Sequence, residues 1–243
     1  ASSSAVIIEF CGRLEQSGII ARSKSRGAGM EITWYGLSCF RLIERGMISV
    51  VTDPYDASVG LPPLKLKADV VTVSHDAPGH SAVNSVKAVR RVITGPGEYE
   101  IGGVFITGVR MMPVKKDKKK AESANILYVF DYGGITVAHL GDLNSVPTQS
   151  QIEDLGTVDI ALVPVGGGQA LSPSKAAEVI SLIEPSIVIP MHYKTSKEGP
   201  KLDTEAGFLK EMGISELAPL PSLKVTKSSM TEETQVILLE ATA

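Results

Sequence analysis

Three apolar runs of this 243-residue chain each end in a histidine: Val70-Val-Thr-Val-Ser-His75, Ile135-Thr-Val-Ala-His139 and Ile187-Val-Ile-Pro-Met-His192. Runs this short and this rich in Val and Ile read as buried strands. In sheets with parallel neighbours the carboxyl ends of strands share one rim, and ligands bind there. A further run, Met47-Ile-Ser-Val-Val-Thr-Asp53, ends in an aspartate, and His139 is followed by Leu140-Gly141-Asp142. His80, five residues beyond His75, completes the chain's 4 histidines. All of its imidazole chemistry therefore belongs to one pattern, and a fold that satisfies the pattern must gather these strand ends.

More β-like runs recur at Ile32–Tyr35, Cys39–Ile43, Val104–Val109, Ile126–Asp131, Ile160–Val165 and Val236–Glu240. Val83, Val86 and Val89 predict a helix over Ser81–Val92. A second helix starts at Ser172, a capping residue followed by Pro173 in the first turn, and runs to Ile183. A third covers Thr204–Met212 and ends at Gly213. The β-rich start, with β and α alternating later, predicts a layered α/β (α+β) domain over residues 30–243. Residues 1–29 carry Glu9 and Glu15 against Arg13, Arg22, Lys24 and Arg26 and end in small polar residues, so they read as a poorly ordered extension. Met30 is a candidate translation start.

Composition narrows the function. A net charge of −3 argues against a nucleic-acid-binding face. The five lysines between Lys115 and Lys120 read as a solvated hairpin tip, with an anion-docking patch as the sharper alternative. Two cysteines, Cys11 and Cys39, exclude an all-thiolate metal site and suggest a reducing, cytoplasmic setting. No apolar run reaches the length of a membrane span, so no membrane partner is expected.

Neutral imidazoles and a carboxylate converging on one rim are what a divalent ion needs, with one position left open for water. His75, His80, Asp142 and His192 are the candidates, and Pro78 and Gly79 help the loop between His75 and His80 bend back. The plainer alternative is that each histidine ends a strand and bonds locally. Three other features have both kinds of reading. Gly95-Pro-Gly-Glu98 is a tight turn or the setting of a general base, and Gly166-Gly-Gly168 is a plain loop or a phosphate cradle. Tyr193 and Lys194 either line the rim or face solvent.

The same residues carry a resemblance. Met30-Glu-Ile-Thr-Trp-Tyr-Gly-Leu-Ser-Cys-Phe, Thr52-Asp-Pro-Tyr, Val73-Ser-His-Asp-Ala-Pro-Gly-His80, Gly95-Pro-Gly-Glu-Tyr-Glu, His139-Leu-Gly-Asp142 and Pro190-Met-His192-Tyr-Lys resemble the metallo-β-lactamase fold. The match is nearest its metal-dependent hydrolase branch, which includes the L-ascorbate-6-phosphate lactonase-like proteins. The resemblance implies a four-layer αββα sandwich with a metal site along one edge. It carries His80, Asp142 and His192 over as metal ligands, with His75 as a fourth ligand or acid/base catalyst. Asp53 would orient an imidazole, and His139 would stand behind the ligands.

The chain departs from the family's His-x-His-x-Asp-His loop at Ala77 and Gly79. It also has Leu37 where relatives often have histidine, and no histidine near Pro113. Those losses leave donors for at most one ion, zinc, with manganese or nickel as alternatives, or for none. Asp76 is the possible substitute donor. The function implied is hydrolysis of a phosphoester, lactone or similar ester of a small anionic substrate by metal-activated water. The alternative is a non-catalytic relative that binds a small molecule or protein partner.

Overall fold

The computed structural model describes residues 6–7, 29–111, 124–168 and 170–242. In chain order the strands are β1 (Val6–Ile7), β2 (Met30–Trp34), β3 (Phe40–Ile43), β4 (Val50–Thr52), β5 (Leu66–Lys67), β6 (Val70–Thr72), β7 (Val86–Lys87) and β8 (Arg91–Ile93). They continue with β9 (Gly97–Ile101), β10 (Val104–Met111), β11 (Asn125–Tyr132), β12 (Ile135–His139), β13 (Ile160–Pro164), β14 (Ile187–Met191), β15 (Leu223–Val225) and β16 (Gln235–Val236). The α-helices are α1 (Gln149–Glu153), α2 (Pro173–Ile183) and α3 (Ala206–Glu211).

Two seven-stranded sheets result, ordered β1-β15-β2-β3-β4-β6-β8 and β16-β14-β13-β12-β11-β10-β9. Alternation decides their inner faces. In β2, Met30, Ile32 and Trp34 are buried while Glu31 and Thr33 are half-buried, as a period of two requires. These side chains join Phe40, Leu42, Val50 and Val70 of the first sheet, and Ile106, Phe130 and Val137 of the second, in one continuous core.

Tyr128 and Tyr132 of β11 span that core. The Tyr128 hydroxyl lies 3.1 Å from the Val73 carbonyl and 3.2 Å from that of Ile93. The Tyr132 hydroxyl lies 3.3 Å from the Leu42 carbonyl and 3.2 Å from that of Ile48. Each phenol satisfies its polar tip against the opposite sheet while burying its ring.

The outer layers differ. Over the second sheet, α2 turns Ala176, Val179 and Ile180 inward, and α3 packs on it through Phe208 and Leu209. Over the first sheet, Leu37, Cys39, Val51, Val71 and Val73 are covered by Tyr55, Leu61, Leu64, Leu66 and Val86. That cover consists of short 3₁₀ turns and the parallel ribbon β5–β7.

The helix expected over 81–92 does not form. A single 3₁₀ turn, Val83–Ser85, gives way to β7 and β8. Val86 pairs with Leu66, Ala88 takes a left-handed φ of 63°, and the amides of Arg90 and Arg91 both donate to the Asp69 carbonyl. A three-residue valine spacing fits a helix face, but β-branched residues beside an open sheet edge gain more from pairing. Gly97 and Glu98, expected in a tight turn after Gly95, instead begin β9, which pairs with β10. The short α1, absent from the sequence reading, is capped reciprocally by Thr148 and Gln151.

Of the presumed extension, Val6–Ile7 pairs in parallel with β15; apart from that pair and Gly29, residues 1–29 lie outside the described residues, as do Cys11 and the Lys115–Lys120 run. Among the described residues no helix is long and apolar enough to cross a membrane.

Parallel pairing is what positions the site. Strands β4, β6 and β8 run parallel in the first sheet, and β12, β13 and β14 in the second. Asp53, His75, His139, Asp142 and His192 therefore emerge at strand ends along one rim. Because Tyr128 ties the two sheets, Tyr128→Phe should cost about 1 to 2 kcal/mol by leaving a buried carbonyl underbonded. Urea unfolding of the variant beside the wild type measures it.

Candidate metal centre

Asp53 follows β4 with a left-handed φ of 38° and is fully buried. Its carboxylate accepts from the Ser74 amide at 2.7 Å and from the Ser74 hydroxyl at 2.5 Å, and the His80 Nδ1 lies 2.8 Å away. Burial alone would raise its pKa, but the nearby His139 and the hydrogen bonds from His80 and Ser74 hold it below the usual carboxylate range.

These bonds fix two imidazoles. An ionised carboxylate only accepts, so His80 places its Nδ1 proton toward Asp53 and leaves Nε2, on the other side of the ring, as the nitrogen an ion would take. Ser74 spends its hydroxyl proton on Asp53, so toward His75 Nδ1, 3.1 Å away, it can only accept. His75, donating its Nδ1 proton to Ser74, then turns its Nε2 outward.

Both nitrogens face Asp142. The His80 Nε2 lies 3.3 Å and the His75 Nε2 3.8 Å from Asp142 Oδ2, and the two rings sit 4.2 Å apart. Asp142 stands in a tight turn after Gly141, where φ is 54° and a Cβ would lie 2.4 Å from Asn125 Oδ1 and 2.7 Å from Ser74 Cβ. Asn125 clamps that turn, its amide oxygen accepting from the Asp142 amide at 3.1 Å and its NH₂ donating to the Leu140 carbonyl at 2.9 Å.

Donors around one zinc at about 2.1 Å lie roughly 3.4 Å apart in a tetrahedron. One donor atom from each of His75, His80 and Asp142 lies within 4.8 Å of the others, so the donor set fits a cation. Without one, burial would depress His80, but its bonds to Asp142 and Asp53 outweigh that and push it up to about 10. Burial and the neighbouring His80 push His75 down. Asp142, despite burial, is held well below its ordinary range by His192 and His80.

His192 reaches the same carboxylate from β14, its Nδ1 lying 2.9 Å from Asp142 Oδ1, the oxygen that His75 and His80 do not face. His139 is fully buried beneath, with Nε2 2.9 Å from the Ser38 carbonyl and 4.0 Å from Asp53 Oδ2. Asp76 is held elsewhere, accepting from the Ser81 hydroxyl at 2.8 Å.

The remaining alternatives resolve plainly. Gly166 and Gly167 spend their amides on the His192 and Leu171 carbonyls, and Ala170 spends its amide on the Gly167 carbonyl, so those three amides are not free to cradle a phosphate. Gly166 is there because a Cβ would stand 2.2 Å from the His192 carbonyl oxygen. Tyr193 is buried against Trp34, ring centroids 4.9 Å apart, which leaves Lys194 exposed beside His192. Glu98 is exposed on β9, opposite Thr107. A shallow cavity of about 540 Å³ beside α3 includes none of the His or Asp residues above in its lining.

Sequence reasoning missed Ser38, Ser74 and Asn125. The two serines sit inside motifs already singled out, beside Leu37 and His75, whereas Asn125 carries no local signal.

This fold and this donor set define a metallohydrolase-type site. The chain belongs to the beta-lactamase superfamily domain family, whose sequence profile matches residues 31–192. A UPF0173 protein of Pyrococcus abyssi is 30% identical over 199 residues, 75% of this chain and 90% of its own. A UPF0173 metal-dependent hydrolase of Methanoculleus marisnigri is 30% identical over 188 residues, covering 68% and 82%. Among solved structures, a metallo-beta-lactamase superfamily protein of Thermotoga maritima is 35% identical, with a TM-score of 0.67 over 87% of this chain and 100% of that one.

The raised His80 has a sign. In metal-stripped protein its pairing with Asp53 and Asp142 contributes stability that is fully present below about pH 6.5 and lost as pH rises through about 10. His75 and His139, whose pKa values are lowered, cost stability only as pH falls below the ordinary histidine range. Urea unfolding of metal-free protein should therefore show stability declining from neutral to alkaline pH, with the decline flattened in His80→Gln.

Proposed function

We propose that the protein is a hydrolase holding one divalent cation between Nε2 of His75, Nε2 of His80 and Oδ2 of Asp142, and that it cleaves a small anionic phosphoester, lactone or related ester. The observation that carries this reading is the convergence of two imidazole Nε2 atoms on one carboxylate oxygen. Three protein donors with a position left open is the usual catalytic zinc arrangement. Zinc is the ion favoured, with manganese and nickel as alternatives. Bound there, the ion would supply Lewis acidity and water activated for attack at neutral pH.

The chain's own residues do the rest. Asp53 and Ser74 engage the Nδ1 atoms of His80 and His75, so that the Nε2 atoms are the ones aimed at Asp142. Asn125 holds Asp142 at its backbone. The exposed Lys194, beside His192, offers a positive charge to an anionic substrate. One ion rather than two is supported by Leu37, whose Cδ1 would lie 3.4 Å from a Cβ at position 79. An apolar side chain thus packs beside a glycine where a second ion would need donors. The same lack of donors at Ala77 and Gly79 is what favours the second reading, a relative that binds without catalysing.

Elemental analysis of protein loaded with zinc, manganese or nickel should return one ion per chain, and none for Asp142→Ala or His80→Ala. At a hundredfold excess over Kd the ion should stabilise the fold by about 2.7 kcal/mol, raising Tm. No stoichiometric metal and no thermal shift would sink the hydrolase reading in favour of the second.

A further inference from the structure

Two sheet edges lie open side by side. Strand β8 is the last of the first sheet and β9 the last of the second, and residues 94–96 alone join them. That connection is tucked between the sheets: a Cβ at Gly108 of β10 would lie 2.8 Å from the Gly95 carbonyl oxygen and 3.1 Å from Pro96 Cα. Along this side Arg91 and Val92 of β8 and Gly97, Glu98 and Glu100 of β9 are exposed. Val92 is 40% exposed, and Phe105, paired with Glu100 from β10, is 54% exposed. Among the described residues no further strand pairs with either edge.

Both edges keep unpaired backbone. The Arg91 amide donates to the Asp69 carbonyl and the Ile93 carbonyl accepts from the Val73 amide, so residues 91 and 93 bond inward. Val92, between them, turns its amide and carbonyl away from the sheet. In the β9–β10 hairpin the two-residue turn Gly102-Gly103 makes Ile101 and Val104 a bonded pair, and alternation then turns the backbone groups of Glu98 and Glu100 outward.

The charges of the two edges are opposite. Ile93 is buried in the core between the sheets, which places Val92 and the residue two before it, Arg90, on the outer face of the first sheet. The Arg90 side chain is 82% exposed, and its ion-pair partner among the described residues is Asp69, 3.6 Å from Nε. The exposed Lys67 and Lys87 stand directly opposite each other on the adjoining β5–β7 ribbon, an unfavourable pairing unless an anion faces it. On β9, Tyr99 and Ile101 pack on the core, which leaves Glu98 and Glu100 on the outer face of the second sheet.

These edges fit a second copy of this chain. β8 runs toward the metal rim beside β6, and β9 runs the other way, antiparallel to β10. A two-fold axis parallel to the strands preserves their directions, so it lays β8 antiparallel to β9 of the partner subunit, and does so twice. We propose that the protein is a symmetric dimer joined by these two ladders, with Val92 opposite Glu98 of the partner subunit and Arg90 opposite Glu100 of the partner subunit. The first sheet of each chain then continues into the second sheet of the other, and both metal rims open at the same end. Pairing β9 with its own copy would instead set glutamate against glutamate, which repels that arrangement.

Sedimentation of the full chain tests this, and the wild type should sediment at twice the chain mass. Arg90→Glu and Glu100→Arg each turn an opposite-charge pair into a like-charge pair on both sides of the axis. Each should therefore raise the dimer dissociation constant about tenfold or more. Mixed in equal amounts, the two variants should recover the dimer, because in the mixed pair one contact has its charges exchanged and the other is unaltered. Amide exchange on the wild type gives a reading free of substitutions: dilution should speed exchange at Val92, Glu98 and Glu100 together. A monomeric wild type, a dimer that neither variant weakens, a mixture that stays monomeric, or edge amides whose exchange ignores dilution would overturn the proposal. Should a variant not fold, sedimentation and exchange of the wild type decide alone. Metal-free protein serves for every arm, so failure of the hydrolase reading leaves the dimer standing.

Discussion

A carboxylate sealed from water has to be paid for by its neighbours, and the rim of this protein is arranged around that requirement at Asp53. Two bonds from Ser74 and one with His80 satisfy it, and each constrains something further. Ser74 is turned so that it can only accept from His75, and His80 is turned so that its Nε2 points out toward Asp142. The orientations of two histidines thus follow from one buried charge. His139, 4.0 Å from the same carboxylate, brings the second sheet up against it and ends on the Ser38 carbonyl.

The second constraint is that the rim is assembled from both sheets. Asp142 and His192 leave β12 and β14, while His75, His80 and Asp53 leave β6 and β4. Distances near 3 Å between such groups require the sheets to keep a fixed spacing, which Tyr128 and Tyr132 maintain by bonding across the core. Backbone strain collects at the same place. Leu37, Asp53 and His192 are three of the five non-glycine residues with a left-handed φ among the described residues, and such conformations persist only where surrounding contacts over-determine them. At His192 those contacts are the Leu37 carbonyl and the Ser38 hydroxyl; at Asp53 they are Ser74 and His80.

Much of the framework was legible in the chain. Ile135–His139 and Ile187–Met191 are strands with the bounds their apolar runs suggest, and α2 begins at Pro173 and ends at Ile183. Where the reading failed, at 81–92, the valine spacing satisfied two geometries, and pairing with Leu66 and Asp69 decided between them. Ser74 and Ser38 were beyond reach for a different reason. A hydroxyl can donate to or accept from almost any neighbour, so its role is set by what stands within 3 Å, which spacing along the chain does not encode. Asn125 grips a turn 15 residues away in sequence and left no trace at all.

By itself, then, the amino-acid order determined the strands, the parallel segments that send their ends to one rim, and the identity of the histidines and aspartates found there, because period and apolarity are local properties. Only the tertiary structure decided how those groups are shared. It set His75 and His80 against one oxygen of Asp142 and His192 against the other, and it turned Leu37 toward Gly79. Coordination depends on distances of a few tenths of an ångström and on ring orientation, and both are fixed by the packing of one sheet on the other.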